Sequence, residues 1–204
     1  VCGVRECKGG ELYCLTYGEV TSMAYDPIEK KPLYHFYPGS DIFSIGTWGC
    51  NFKCEYCQNW EISQVRQPTQ TLPPQKAAEL ALERGSIGIA FTYNEPCIWF
   101  EYIMDTGYEV KKRGGKNVLV TNGYINPEPL KELLSIVDAF NVDLKAFNEE
   151  FYTRYCKGKL DPVKETLKTI ARSNSHLEIT TLIIPGCNDN TEELEAEARW
   201  IASE

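Results

Sequence analysis

The 204-residue chain lacks several features that would assign it to a familiar class. It has no excess of basic residues, because 21 Lys and Arg face 29 Asp and Glu and the net charge is −8. A sequence-independent nucleic-acid footprint needs a basic face, so we expect no nucleic-acid partner. No stretch approaches the ~18–20 apolar residues of a membrane span, and no basic-then-apolar signal segment opens the chain. The composition therefore predicts a soluble, cytoplasmic protein without a membrane partner.

The nine cysteines do not have the pattern of a disulfide scaffold. Such scaffolds are usually small, secreted and rich in loops, and they pair their cysteines in even numbers. This chain has an odd number of cysteines and a regular alternation of predicted strands and helices. Reduced thiols, some of them metal ligands, fit this composition better.

Three cysteines, Cys50, Cys54 and Cys57, lie within eight residues at the spacing C-x3-C-x2-C. Thiolates prefer soft metal centres such as iron–sulfur clusters, zinc or cuprous copper. Structural zinc sites and simple electron-transfer clusters take four protein ligands, whereas three ligands leave one position open for a substrate or cofactor. The interpretation that we favour is a cubane iron–sulfur cluster with one iron free for chemistry.

Two other interpretations of the three cysteines remain open at this stage. A disulfide between two of them would leave one thiol over. A structural zinc would need a fourth ligand, and the candidates are Cys2, Cys7, Cys14, His35 or a residue elsewhere. We expect Cys2, Cys7 and Cys14 to be ordinary cysteines rather than a second metal site, since their spacing matches no known site.

Residues 1–38 are predicted to form a small N-terminal β-hairpin appendage. Apolar and polar residues alternate over 11–17, and a second candidate strand covers 20–25. The main domain is predicted to span residues 39–204. We expect it to be truncated at its C-terminus, because the last predicted helix, 191–204, is followed by no strand. The chain also starts without an initiator Met, which suggests a piece of a longer polypeptide.

From residue 41 onward, apolar strands alternate with amphipathic helices. The predicted strands are 42–47, 87–91, 117–121, 139–144 and 178–184. The predicted helices are 73–84, 98–112, 129–137, a fourth capped by Asp161 with Pro162 at its first position, and 191–203. Five such repeats indicate an α/β fold with a parallel sheet covered by helices. An open doubly wound sheet and a curled, partial (β/α) barrel both satisfy the pattern. The first strand is followed by no G-x-G-x-x-G turn, which makes a nucleotide-binding doubly wound sheet less favoured.

The cysteine stretch resembles a known family. With Tyr56 just before the last cysteine, C-x3-C-x2-C is the signature of radical S-adenosylmethionine (radical SAM) enzymes. The segment GCNFKCEYCQNWEIS is similar to the corresponding sequence in the pyruvate formate-lyase activating enzyme branch, and within that branch to the AmmeMemoRadiSam-system radical SAM proteins. The resemblance covers nearly the whole chain. It implies a partial TIM-like barrel of about six parallel strands, of which this chain supplies five.

The resemblance also implies an activity and its cofactors. A [4Fe-4S] cluster held by Cys50, Cys54 and Cys57 would cleave SAM reductively to a 5′-deoxyadenosyl radical, which abstracts hydrogen from an unidentified substrate. The expected partners are an electron donor such as flavodoxin or ferredoxin, and a small-molecule or protein substrate. Two alternatives are a glycyl-radical-enzyme activating enzyme and a non-enzymatic iron–sulfur or zinc module.

Polar residues follow every predicted strand, where parallel α/β folds gather their functional groups. After the cysteine loop, these segments are 92–96, 122–124, 143–145 and 185–189. We expect them to form one active-site mouth together with the cysteines.

For four of these residues the resemblance suggests contacts with SAM. Glu95, or the pair Asn94 and Glu95, would accept hydrogen bonds from the methionine amine. Asn122 would hold the ribose hydroxyls, and Gly123 would allow close backbone approach. Two structural interpretations compete with these roles. Glu95 is also suited to a helix N-terminus, and Asn-Gly is a common turn pair.

The remaining predicted site residues flank the other ends of the cofactor. Asp143 and Lys145 resemble the D-L-K element of the family, with Lys145 facing the SAM carboxylate. The competing interpretation of this pair is a structural ion pair. Tyr56 would present its ring and backbone to the adenine.

Overall fold

A six-stranded sheet covered by helices on one face forms the centre of the computed structural model, which describes residues 2–204. The strands are β1 (Arg5–Lys8), β2 (Glu11–Cys14), β3 (Glu19–Val20), β4 (Ser22–Pro27), β5 (Asp41–Gly46), β6 (Gln70–Thr71), β7 (Gly88–Phe91), β8 (Lys116–Thr121), β9 (Ala139–Asp143) and β10 (His176–Thr180). The α-helices are α1 (Trp60–Gln64), α2 (Pro74–Leu80), α3 (Phe100–Lys112), α4 (Pro127–Leu133), α5 (Glu149–Phe151), α6 (Leu160–Ala171) and α7 (Thr191–Ser203). Short 3-10 turns cover Ile28–Lys30, Glu83–Gly85 and Pro96–Trp99, and a π-helical turn covers Tyr152–Cys156.

The order of the strands in the central sheet is β10-β9-β8-β7-β5-β4. The first four neighbouring pairs are parallel, and β4 pairs with β5 in antiparallel orientation. Consecutive parallel strands therefore lie side by side, which is the usual arrangement of strands that follow one another in the chain. The predicted α/β fold with five parallel strands in a partial barrel is confirmed.

Side chains that alternate across the strands divide the core into two parts. Large apolar side chains of β5, β7, β8 and β9 point to the helices and form the main core. Their smaller neighbours point to the inner face, where Ile42, Ala90, Val118 and Ala139 contact Ile28 and Leu33. The segment between β4 and β5 therefore fills the inner face of the sheet near the amino ends of its strands.

The predicted boundary at residue 38, between an N-terminal appendage and the main domain, does not agree with the pairing of the strands. Only β1 and β2 form a separate hairpin, whereas the second predicted strand is β4 and belongs to the central sheet, paired with β5 from Ser22↔Gly46 to Pro27↔Asp41. Alternating polarity predicts a half-buried strand, but it does not say which strand is its partner. The first residue of the predicted appendage, Val1, lies outside the described residues.

Two polar side chains tie the segment between β4 and β5 to the sheet. Asn141 Nδ2, in β9, donates to the carbonyl of Pro32 over 3.0 Å. The carboxylate of Glu178, in β10, accepts hydrogen bonds from the backbone N–H groups of Tyr34 and His35, both over 2.9 Å. This segment is therefore part of the main domain.

Helix boundaries differ modestly from the predicted ones. Helix α7 begins at Thr191 as predicted, where Asn190 accepts hydrogen bonds from two N–H groups of its first turn. Helix α6 begins at Leu160, one residue before the predicted cap Asp161. Its first N–H is satisfied by the Glu149 carboxylate over 2.8 Å, so a distant acceptor replaces the local cap. Among residues 2–204, no helix is both long and apolar enough to cross a membrane.

We expect Glu178→Gln to lower the free energy of unfolding at pH 7 by about 1.5–3 kcal/mol, the usual range for hydrogen bonds to a charged group. Partial burial alone would raise the pKa of Glu178, but its bonds to Tyr34, His35 and His176 lower that pKa to about 2 from 4.5. A depressed pKa stabilises the fold above pH 4.5, and this contribution is lost as the pH falls toward 2.

Denaturant unfolding at several pH values measures this effect, with the exposed Glu165→Gln as the matched control. A Glu178→Gln protein as stable as wild type at pH 7 would contradict the role of the carboxylate.

Candidate functional site

A cavity of about 350 Å³ opens at the carboxyl ends of the parallel strands. Nine of the ten predicted site residues line it: Cys50, Cys54, Tyr56, Cys57, Asn94, Glu95, Asn122, Asp143 and Lys145. The tenth, Gly123, does not. The polar ends of β5, β7, β8 and β9 therefore converge, as the position of functional groups in parallel α/β folds predicts.

The cysteine loop is anchored to the fold on its far side. Phe52 is buried, with its ring centroid 4.9 Å from that of Tyr124 and 6.0 Å from that of Tyr152. The backbone N–H of Lys53 donates to Cys156 O and that of Glu55 to Tyr155 O, both over 3.0 Å. The buried Phe52 ring and two backbone hydrogen bonds thus direct Cys54 and Cys57 toward the cavity.

The three cysteines have different surroundings. Cys50 Sγ accepts weak hydrogen bonds from Phe52 N at 3.4 Å and from Asn122 Nδ2 at 3.8 Å. Burial, and next the charge of Glu95, raise the pKa of the Cys50 thiol to about 12. Cys57 Sγ lies 3.2 Å from the hydroxyl of Ser63. A bound cation would supply the positive charge that the Cys50 thiolate needs.

The grouping of the cysteines bears on the kind of metal centre. Within residues 2–204, no three His, Cys, Asp or Glu side chains lie close enough together to hold a single metal ion. Sulfurs that bind different irons of one cluster are separated by the cluster itself, and they lie farther apart than ligands of one ion. Three thiolates on one loop are a donor set that fits an iron–sulfur cluster with one open iron.

A fourth thiol lies beside the cysteine loop, in the π-helical turn after β9. Cys156 is buried, and its Sγ is 3.2 Å from the hydroxyl of Tyr56. The proximity of Cys156 raises the pKa of Cys54, and that of Cys54 lowers the pKa of Cys156. The hydroxyl of Tyr56 therefore points away from solvent, and its ring packs against Phe151 with centroids 5.7 Å apart.

Asn94 joins the end of β7 to the cysteine loop. Its Oδ1 accepts from Thr47 N over 3.1 Å and its Nδ2 donates to Gly49 O over 2.9 Å. This close approach requires Gly46, where an added Cβ would lie 2.5 Å from the carbonyl of Thr92. The amide of Asn94 is thus occupied by backbone groups, and its role in the site is to position the loop that carries Cys50.

The carboxylate of Glu95 is almost fully buried at the cavity wall. It accepts three hydrogen bonds, from Thr121 Oγ1 at 2.7 Å, Asn122 N at 2.8 Å and Cys97 N at 2.9 Å. The bond to Cys97 N caps the 3-10 turn Pro96–Trp99, so the predicted structural role is present. A carboxylate has about four acceptor positions, so one remains for a ligand donor. Burial raises the pKa of Glu95.

Asn122 and Gly123 have separate functions in their turn. Asn122 Nδ2 donates to Asn51 Oδ1 over 2.8 Å, and its Oδ1 accepts from Tyr124 N over 2.9 Å. Gly123 has φ of +69°, and an added Cβ would lie 2.9 Å from Val142. Gly123 therefore packs against the sheet, and the predicted close approach of its backbone to a ligand is not seen on the cavity wall.

Asp143 and Lys145 form the ion pair that was the competing interpretation, with Nζ 2.8 Å from Oδ2. Burial alone would lower the pKa of Lys145, but Asp143 and the Cys54 thiol raise it above its usual value. Lys145 is only 15% exposed and lies on the cavity wall beside the cysteine loop. The pair combines a structural contact with a permanently charged ammonium group at the site.

The predicted contribution of the last strand is wrong in detail. Thr180 and Leu182, rather than the 185–189 segment, line the cavity after β10. Asn188 is buried and bonds to the carbonyls of Lys145 and Leu182 and to Ile184 N. Its amide holds the chain turn together, because a buried loop must satisfy its own backbone groups.

Sequence reasoning missed several wall residues, above all Lys30 and Lys31, whereas Tyr93 lies within the predicted 92–96 segment. Tyr93 has φ of +72°, which is unusual for a residue other than glycine. Lys31 is 2% exposed and pairs with Asp26. The two adjacent lysines are visible in the sequence, but no local pattern connects them with the strand ends.

A comparison with protein families finds one matching model, described as the Radical SAM superfamily, over residues 44–201. An uncharacterised protein of Methanocaldococcus jannaschii is 45% identical over 196 residues, which make up 95% of this chain and 58% of that protein. The pyruvate formate-lyase 1-activating enzyme of Escherichia coli K12 is 25% identical over 149 residues, which make up 70% of this chain and 61% of that enzyme. The chain thus spans less than two thirds of the length of either relative.

Among solved structures, Streptococcus suis SuiB bound to S-adenosylmethionine superposes with a TM-score of 0.60. The match covers 74% of this chain and 35% of that chain, at 13% sequence identity. At this identity the likeness concerns the fold alone.

We expect Asn94→Ala to loosen the cysteine loop, because Thr47 N and Gly49 O lose their partners. The free energy of unfolding should fall by about 1–3 kcal/mol, and amide exchange at Thr47 should accelerate. Hydrogen–deuterium exchange with denaturant unfolding measures both. The control is Asn126→Ala, since Asn126 is exposed and makes no capping bond. Unchanged protection of Thr47 would rule out the proposed role of Asn94.

Proposed function

Because the chain belongs to the radical SAM superfamily, we propose that it is a radical SAM enzyme that acts on a substrate not yet identified. One observation carries this proposal: the three cysteines of C-x3-C-x2-C share a cavity with Glu95, Asn122 and Lys145. These groups can bind both a cluster with an open iron and the polar ends of S-adenosylmethionine.

The donor set fits a [4Fe-4S] cluster with three thiolate ligands. Soft thiolates are the usual ligands of iron–sulfur clusters, and Cys50, Cys54 and Cys57 reach the cavity from one loop. When bound, the cluster and SAM would supply one-electron reductive cleavage to a 5′-deoxyadenosyl radical, which abstracts hydrogen. The protein itself binds, orients and shields these groups.

In this proposal, Glu95 and Lys145 hold the two charged ends of the methionine part of SAM. Glu95 uses its remaining acceptor position for the amine, and Lys145 donates to the carboxylate in a charge-assisted bond. Both side chains are held by other protein groups, so that little side-chain entropy is lost on binding. Because these two side chains carry opposite charges, they favour one orientation of a bound zwitterion over the reverse.

Asn122 and Tyr56 complete the site in supporting roles. Asn122 contacts both the Cys50 thiol and Asn51, so it couples the cysteine loop to the end of β8. A ribose hydroxyl would approach this amide from the cavity. Tyr56 lies on the wall with its hydroxyl turned to Cys156, which leaves the ring and backbone for the adenine.

The reductant and the compartment are part of the same proposal. We expect a low-potential electron donor such as flavodoxin or ferredoxin, and a cytoplasmic location. The absence of a nucleic-acid partner stays a prediction from the acidic composition.

The alternative is a protein substrate, as in the activation of pyruvate formate-lyase that the name of the E. coli relative describes. We favour the AmmeMemoRadiSam type, because its amino-acid sequence around the cysteines is more similar to that of this chain. Glycyl-radical formation on a partner protein, detected by electron paramagnetic resonance, would reverse this choice.

Replacement of a cluster ligand tests the proposal directly. We expect Cys50→Ala to abolish the formation of 5′-deoxyadenosine from SAM under anaerobic, reducing conditions, because a cubane loses one of its three protein ligands. The control is Cys7→Ala, since Cys7 is exposed on the β1–β2 hairpin. Anaerobic electron paramagnetic resonance with and without SAM reports on the cluster. Undiminished SAM cleavage by Cys50→Ala would refute the function.

Replacement of Lys145 tests the orientation of SAM. We expect Lys145→Met to weaken SAM binding about tenfold or more, which corresponds to about 1.4 kcal/mol or more for a charge-assisted bond. Iron content should stay near that of wild type, and binding can be measured on the cluster-loaded protein. The control is Lys168→Met on α6, a lysine that pairs with Glu165. Equal SAM affinity in both variants would place the carboxylate elsewhere.

A further inference from the structure

A second group of charges lies in the wall of the same cavity and has no part in the proposed binding of SAM. Lys30 and Lys31 both line the cavity, and both pair with Asp26, at 3.3 Å and 2.8 Å. Two ammonium groups thus share one carboxylate. Burial lowers the pKa of Lys31 below its usual value, and the pairing with Asp26 opposes this shift. Within residues 2–204, these two ammonium groups therefore exceed the carboxylate that they share by one positive charge.

This pair lies away from the cysteine loop along the sheet. Asp26 is paired with Ile42 near the start of β5, whereas the cysteine loop follows the end of β5 at Gly46. Four residues of a strand separate the two positions by about 13 Å. The lysines thus enter the cavity wall from the segment after β4, whereas the cysteines enter it from the loop after β5.

Lys31 is held in place by Tyr93. The hydroxyl of Tyr93 donates to Asp26 Oδ2 over 2.8 Å, and Lys31 Nζ lies 4.7 Å from the centroid of the Tyr93 ring. Tyr93 reaches this position from a left-handed backbone conformation, which costs about 1–3 kcal/mol and usually persists at functional positions. The same turn carries Asn94 and Glu95, so it connects the two lysines with the cysteine loop.

A purely structural role explains this arrangement less well. Buried ion pairs are often no more stabilising than well-packed apolar residues of similar volume. The floor of the inner face is already filled by Ile28 and Leu33, both fully buried. Lys31 is 2% exposed and Lys30 is 66% exposed, so the pair has one fixed and one adaptable ammonium group.

We propose that Lys30 and Lys31 form an anion subsite that binds a carboxylate or phosphate group of the substrate, away from the cysteine loop. This inference rests on the proposed function, because the protein has a substrate only if it is an enzyme. The binding of the anion itself does not depend on radical chemistry. Lys31 donates from a fixed position, Lys30 closes over the anion, and Asp26 with Tyr93 keeps Lys31 in place.

The test uses the full chain, purified without oxygen and loaded with its cluster. Malonate and inorganic phosphate are titrated separately by isothermal calorimetry, with SAM present and absent. The variants are Lys30→Gln and Lys31→Met. The matched control is Lys76→Met, which removes a lysine that is paired with Glu79 on the surface of α2.

We expect measurable binding of at least one probe to the wild type and to Lys76→Met, and an affinity at least about tenfold lower in Lys31→Met. Lys30→Gln should weaken binding severalfold, and it decides the matter if Lys31→Met does not fold, because Lys30 is largely exposed. Preference for phosphate over malonate would identify a phosphorylated substrate, and the reverse a carboxylic acid.

The inference is overturned if wild type binds neither probe, or if the lysine variants bind them as tightly as Lys76→Met. Failure of the proposed function would look different. In that case the wild type would not cleave SAM, while the anions would still bind in a manner dependent on Lys30 and Lys31.

Discussion

The alternation of side chains across one parallel sheet is the constraint on which the rest of this structure depends. The outward set is large and apolar, and it is covered by helices, as with Phe43, Phe91 and Phe140. The inward set includes small and polar residues such as Ala90 and Asn141, so the strands themselves do not fill the inner face. The segment between β4 and β5 fills the amino end of that face, and a cavity remains at the carboxyl end. The alternation of side chains with a period of two residues thus creates both the core and the cavity.

Within the cavity, the charged groups are held by the protein before any ligand arrives. Glu95 accepts three hydrogen bonds, Lys145 pairs with Asp143, and Lys31 pairs with Asp26. Burying charges is costly unless they are paired and hydrogen-bonded. The structure meets that cost with neighbours from several strands, which gives the site fixed polar groups. Such preorganisation is what the proposed binding of SAM and a substrate side by side would need.

Prediction from the sequence worked best where a local pattern had one structural solution. The strand ends brought Cys50, Glu95, Asn122 and Lys145 to one rim because parallel strands share their direction. It failed where a partner had to be chosen over distance. The strand at 22–27 joined the main sheet, Gly123 packed against Val142, and Asn188 turned inward to bond the carbonyl of Lys145. Each of these outcomes depends on which element lies next to the residue in space.

The amino-acid sequence by itself determined the five parallel strands, the cysteine spacing and the polar residues at the strand ends, since periodicity and spacing are local properties of the chain. Only the tertiary structure decided that Asn94 holds the cysteine loop, that Cys156 lies against Tyr56, and that Lys31 faces the same cavity from the segment after β4. The reason is physical: these contacts join residues far apart in the chain, and their hydrogen bonds form only when packing has removed water from between them.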